Sequence, residues 1–150
     1  MVQTNMNTQA VNRLRVLFVI AALWNLVGVV FGYFNTATTF QGIFGRELTD
    51  PLVFHIYQGA WGTTFVYFFG YLVVAHNPLR HTGVVIVGGI GKLGYAVKLV
   101  QLFAAGLAGP VALIVIVGDF LFVLSFVVYF IALRRTQQTV FGELGLQGAA

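Results

Sequence analysis

Four apolar runs, each long enough to cross a bilayer, leave this chain few folds to choose from. A helix rises 1.5 Å per residue, so about 20 apolar residues bridge a hydrocarbon core of about 30 Å. Runs of that kind cover roughly residues 14–34, 52–76, 82–105 and 111–133. In lipid the backbone must satisfy its hydrogen bonds internally, which makes each run helical. Composition agrees: 59% of the 150 residues are apolar and 8% charged, against about 25% charged in a soluble domain.

The connections set the arrangement. Residues 35–51, NTATTFQGIFGRELTDP, read as a polar, Thr-rich loop, with Pro51 where the second helix begins. NPLRH is a tight hairpin whose Asn77-Pro78 stops a helix. GLAGP is equally short, with Pro110 placed to start the last helix. Short links make consecutive helices antiparallel neighbours, so the predicted fold is all-α: one domain, a four-transmembrane-helix antiparallel bundle. Segments 1–13 and 136–150 read as flexible ends.

Arg13, Arg15, Arg80, Arg134 and Arg135 fall on one side, and only Arg46, beside Glu47 and Asp50, on the other. The positive-inside rule then places both termini in the cytoplasm. The expected location is the bacterial inner membrane, multi-pass, with the lipid bilayer as first partner. The first run is too long for the apolar region of a cleavable signal peptide and is expected to be retained. A pI near 9.8 does not point to nucleic acid, because the few cations sit where topology uses them. With no cysteine, disulfides, thiolate chemistry and cysteine-ligated zinc or iron–sulfur clusters are excluded.

Helices in lipid associate through close packing and polar contacts. On the first helix Ala21, Ala22, Asn25, Gly28 and Gly32 share a face, and Gly28 to Gly32 is a GxxxG. That face predicts a packing groove with one amide bonded across the bundle. The second helix carries an aromatic stripe, Phe54, Tyr57, Trp61, Phe65 and Phe68, and a separate face with His55, Gly59 and Gly62; Gln58 falls between them. Gly88, Gly89, Gly91 and Gly94 thin the third helix. Their poor helix propensity predicts either a closely packed neighbour or an opened space. GGIGKLG is not a phosphate-binding loop, since Leu93 follows Lys92 where Ser or Thr is required.

Three charges lie inside these runs: Lys92, Lys98 and Asp119. A charge at mid-bilayer costs several kcal/mol and faces a partner or a wet cavity. Measured from the outer helix ends at 1.5 Å per residue, Lys98 lies at about 9 Å, Asp119 at about 12 Å and Lys92 at about 18 Å. The lysines are about 120° apart around their helix, so both cannot face Asp119 squarely. Depth slightly favours Lys98. Total cost favours Lys92, because Lys98 can snorkel to the interface whereas an unpaired Lys92 would be stranded. Two readings stand side by side: a structural ion pair fixing helix register, or a polar pocket opening outward. The candidate cluster comprises Lys92, Lys98, Asp119, Tyr95, Asn25, Gln58, His55 and Trp61. No catalytic residue and no metal site are assigned.

With WNLVG (Trp24 to Gly28), NPLRH, GKLGY (Gly91 to Tyr95) and GDFLF (Gly118 to Phe122) in view, the chain resembles small bacterial four-helix membrane proteins, at the loosest the DoxX-like group. The resemblance implies a membrane subunit of a quinone-linked redox system. The chain lacks the cysteine or paired histidines that such chemistry would use, so no cofactor is predicted, and quinone belongs to the alternative alone. The expected function is a non-enzymatic accessory or small-ligand-binding bundle, as a homo-oligomer or within a larger membrane complex. The alternatives are the quinone-associated subunit and, as an oligomer, a proton-coupled small-solute transporter.

Overall fold

A computed structural model describes residues 8–135 as five α-helices, with no strand among them. They are α1 (Thr8–Gly32), α2 (Thr36–Phe44), α3 (Pro51–His76), α4 (Thr82–Ala104) and α5 (Val111–Arg135). The expected end segment 136–150 lies outside the described residues. Part of 1–13 does not: α1 begins at Thr8, since TQAVNRLR contains no helix breaker and runs straight into the apolar stretch.

Three helices, α1, α4 and α5, are long and apolar enough to cross a membrane, not the four expected. Length does not exclude α3, which has 26 residues. Its first half dilutes the apolar run with His55, Gln58, Gly59, Gly62, Thr63 and Thr64. The segment between the first two long helices also differs from the expected loop. Thr36–Phe44 coils into α2, burying Thr36, Phe40 and Ile43 at helical spacing. Gly45 ends it in the left-handed conformation, φ 68°, which glycine adopts without steric cost. The start of α3 follows the sequence: Asp50 Oδ1 accepts from the amides of Leu52 (2.8 Å) and Val53 (3.3 Å), with Pro51 in the first turn.

The long helices alternate in direction. Phe18 stacks on Tyr71, Asn25 reaches Thr64 and Gly32 meets Trp61, so α1 and α3 are antiparallel. Gly89 faces Phe126 while Lys92 meets Asp119, so α4 and α5 are antiparallel too. At the GxxxG of α1 the Trp61 indole of α3 occupies the space beside both glycines. A Cβ on Gly28 would come to 2.8 Å of that ring, and one on Gly32 would overlap it. Tyr71 likewise fills the place of a side chain at Gly88, and Trp24 that at Gly118.

Two apolar cores result. At the end of the α3–α4 hairpin, Phe18, Tyr71, Val74, Val85, Phe126 and Tyr129 pack together, and Tyr129 Oη donates to the Pro78 carbonyl at 2.6 Å. At the opposite end Ile43, Trp61, Leu99, Ala112 and Ile116 form a smaller core. There the Gly109 amide donates to the Ile43 carbonyl at 2.7 Å, joining the end of α2 to the α4–α5 turn. The sequence's aromatic stripe divides: Tyr57 and Trp61 turn toward this second core, while Phe65 stacks on Phe68 and meets Phe69 at a tilt.

Gly32→Ala should therefore lower stability by about 1–3 kcal/mol in a denaturant titration in detergent, through overpacking against Trp61. Gly94→Ala, whose new Cβ meets nothing within 4 Å, should be neutral or gain up to about 1 kcal/mol through helix propensity.

Candidate functional site

The intramembrane charges resolve into one pair and one bystander. Lys92 Nζ lies 2.8 Å from Asp119 Oδ1, and both residues are buried, at 8% and 5% exposure. Lys92 Nζ also donates to Asn25 Oδ1 at 3.0 Å and stands 5.1 Å from the centre of the Phe122 ring. Lys98 is exposed and donates to Gln101 Oε1 at 3.1 Å, one turn along its own helix. Asp119 thus takes the deeper lysine, which would otherwise be a stranded charge, and leaves the shallower one to the surface.

α1 completes the network with two consecutive residues. Asn25 accepts from Lys92 through Oδ1, and its Nδ2 donates to the Thr64 carbonyl at 3.5 Å. Trp24 Nε1 donates to Asp119 Oδ1 at 3.2 Å. Successive residues point about 100° apart on a helix, so one reaches the lysine and the other the carboxylate. The indole can come this near only because Gly118, next to Asp119, has no side chain. Asp119 Oδ1 accepts two hydrogen bonds, whereas Oδ2 accepts none among the described residues.

These residues form the floor of a cavity of about 780 Å³ between the α1–α3 pair and the α4–α5 pair. Its wall is mostly apolar and aromatic, with Phe31, Ile43, Tyr57, Trp61, Tyr95 and Val115 among the lining residues. Thr38, Thr39 and Gly42 of α2 line the end away from the floor. The glycines of α4 play both expected roles: Gly88 receives Tyr71, while Gly91 lines the cavity and faces open space within 4 Å. Among the described residues the buried hydroxyl of Tyr71, on the cavity wall, has no hydrogen-bond partner.

Of the eight candidate residues, Lys92, Asp119 and Asn25 meet directly, and Trp61 and Tyr95 line the same cavity. The other three lie elsewhere. Lys98 faces away, His55 is exposed with its ring against Phe54, and Gln58 Nε2 donates to the Tyr33 carbonyl at 3.1 Å. Sequence reasoning missed Trp24 and Tyr71. The available signal was spacing, since Trp24 precedes Asn25 on the small-residue face and Tyr71 falls opposite the glycine run. Among the described residues no three His, Asp or Glu side chains gather as a metal site would require. Compared with protein-family models, curated proteins and solved structures, the chain matches none.

Removing one member of a buried pair leaves the other charge uncompensated and costs about 3–5 kcal/mol. Lys92→Met and Asp119→Leu should each fall in that range, with the double substitution more stable than either single, as read by folded yield and denaturant titration. Lys98→Met should stay within about 0.5 kcal/mol of the parent.

Proposed function

We propose that this is a small, non-enzymatic multi-pass membrane protein whose bundle binds a small molecule within the membrane. The observation that carries the reading is the cavity of about 780 Å³ whose apolar wall ends on Lys92, Asp119 and Asn25. Ligand sites are concave, predominantly apolar and marked by a few converging polar groups, in volumes of about 300–1,000 Å³. Ionisable residues inside a membrane mark functional sites by default. A pair serving only to fix helix register would need no room beside it.

In this proposal α3 is the fourth crossing. It runs antiparallel along α1 from Phe18 to Gly32 and matches it in length. Of its polar residues, Thr64 is half-buried and lines the cavity, and the exposed Thr63 donates from Oγ1 to the Gly59 carbonyl of its own helix at 3.5 Å. Arg13, Arg15 and Arg80 then share the cytoplasmic side with Arg134, both termini lie there, and the cavity occupies the outer half of a bacterial inner membrane. An accessory role within a larger complex is compatible with the same site.

The test is extraction in mild detergent, followed by mass spectrometry of co-purified small molecules and a visible spectrum. A stoichiometric non-protein species, lost in Asp119→Leu under conditions where the double variant with Lys92→Met folds, is the expected result. A clean, fully folded protein recovered with a larger complex would move the reading to an accessory subunit. A co-extracted quinone would move it to the quinone-associated one.

A further inference from the structure

The cavity is open at its side. Val27 and Phe31 of α1 and Ile114 of α5 line it, yet they are 53%, 56% and 64% exposed. They are the edges of a gap between two helices that are each apolar enough to lie in lipid. Outside this gap a shallow groove of about 480 Å³ continues along α5, lined by Leu113, Ile114, Val117, Gly118 and Leu121 and sharing Trp24 with the cavity. An apolar path therefore runs from the floor, past Val27 and Ile114, onto the lipid face of the bundle.

The floor specifies what ends that path. Lys92 and Asp119 neutralise each other at 2.8 Å, so a charged headgroup would meet a like charge and have to displace an existing partner. The polar atom left for a ligand is an acceptor, Asp119 Oδ2, which takes no hydrogen bond among the described residues; the Tyr71 hydroxyl is packed against Gly88 at 0% exposure, out of a ligand's reach. The simplest neutral head that donates to a carboxylate oxygen is a hydroxyl.

Resting on the ligand-binding reading above, we infer that the cavity takes a neutral long-chain amphiphile with a hydroxyl head, which enters from the bilayer between α1 and α5. Its head lies at Asp119, and its chain passes Val27 and Ile114 into the α5 groove.

Both tryptophans of the chain, Trp24 and Trp61, line the cavity, so intrinsic fluorescence reports on it directly. The probes are a long-chain alcohol brominated at mid-chain and two permanently charged counterparts, the alkyl sulfate and the alkyl trimethylammonium, added to the full-length protein in nanodiscs. The alcohol should quench saturably and the charged probes should not. Gly91→Leu puts a side chain into the cavity where a Cβ meets nothing within 4 Å, and leucine is the better helix former. It should raise the half-quenching concentration about tenfold or more, equivalent to ~1.4 kcal/mol.

If a charged probe binds as well and Gly91→Leu still blocks it, the hydroxyl assignment is overturned while ligand binding stands. If no probe quenches saturably, or Gly91→Leu changes nothing, binding in this cavity falls as well. Entry is read separately by stopped flow. Val27→Phe with Ile114→Phe, which narrow the gap, should slow the quenching rate severalfold even at saturating probe; an unchanged rate would overturn the α1–α5 route.

Discussion

A lysine and an aspartate buried in apolar helices tolerate each other's company only if nearly every polar atom they carry is met, and that demand organises the bundle. Lys92 and Asp119 join α4 to α5 at 2.8 Å. Asn25 and Trp24 bring α1 to opposite members of the pair, and the amide of Asn25 continues to a carbonyl of α3. One connected network thus touches all four long helices. Register follows from it, because sliding any helix by a turn, about 5.4 Å, would strand a charge. The net gain in stability from such a pair is small compared with the cost of breaking it, so its main contribution is to exclude other packings.

Apolar surface alone could not do this in lipid, where a helix gains nothing by exchanging a lipid tail for a leucine. The helices instead approach where glycine and a large aromatic ring are complementary: Gly28 and Gly32 under Trp61, Gly88 under Tyr71, Gly118 under Trp24. Each ring fills the space that a neighbouring side chain would have taken. Toward the hairpin Tyr71 and Trp24 join an aromatic core with Phe18, Phe126 and Tyr129. The ion pair marks the upper limit of that core, with Phe122 against the ammonium on one side and the cavity on the other.

The sequence shows the helices and the pair more clearly than the site. Apolar run lengths place α1, α4 and α5, and the cost of an orphan charge selects Lys92 over Lys98. Depth and spacing do not report the rotation of one helix against another. His55, Gln58 and Lys98 lie at suitable depths, yet their azimuths direct them away from the cavity. Trp24 escapes notice for a different reason: an indole on an apolar helix reads as packing, and its donor matters only because Gly118 lets it reach Asp119. The α2 segment reads as a loop because three threonines and a glycine obscure the spacing of Thr36, Phe40 and Ile43, whose shared burial is set by tertiary packing.

Gly91 bears most directly on whether the cavity belongs to the fold or is incidental to it. Glycine in a helix interior is about 1 kcal/mol less favourable than alanine, and at Gly88 the close approach of Tyr71 offsets that deficit. At Gly91 no neighbour lies within 4 Å of where a Cβ would be, so packing returns nothing. A larger apolar residue there would improve the helix and fill part of the space beside Lys92. Collapse is no easier a remedy, because drawing α3 toward α4 at this level would pull Thr64 and Asn25 out of line with the lysine. The ion-pair network and the uncompensated glycine therefore act in the same direction: one holds the helix pairs apart, and the other leaves the interval between them clear.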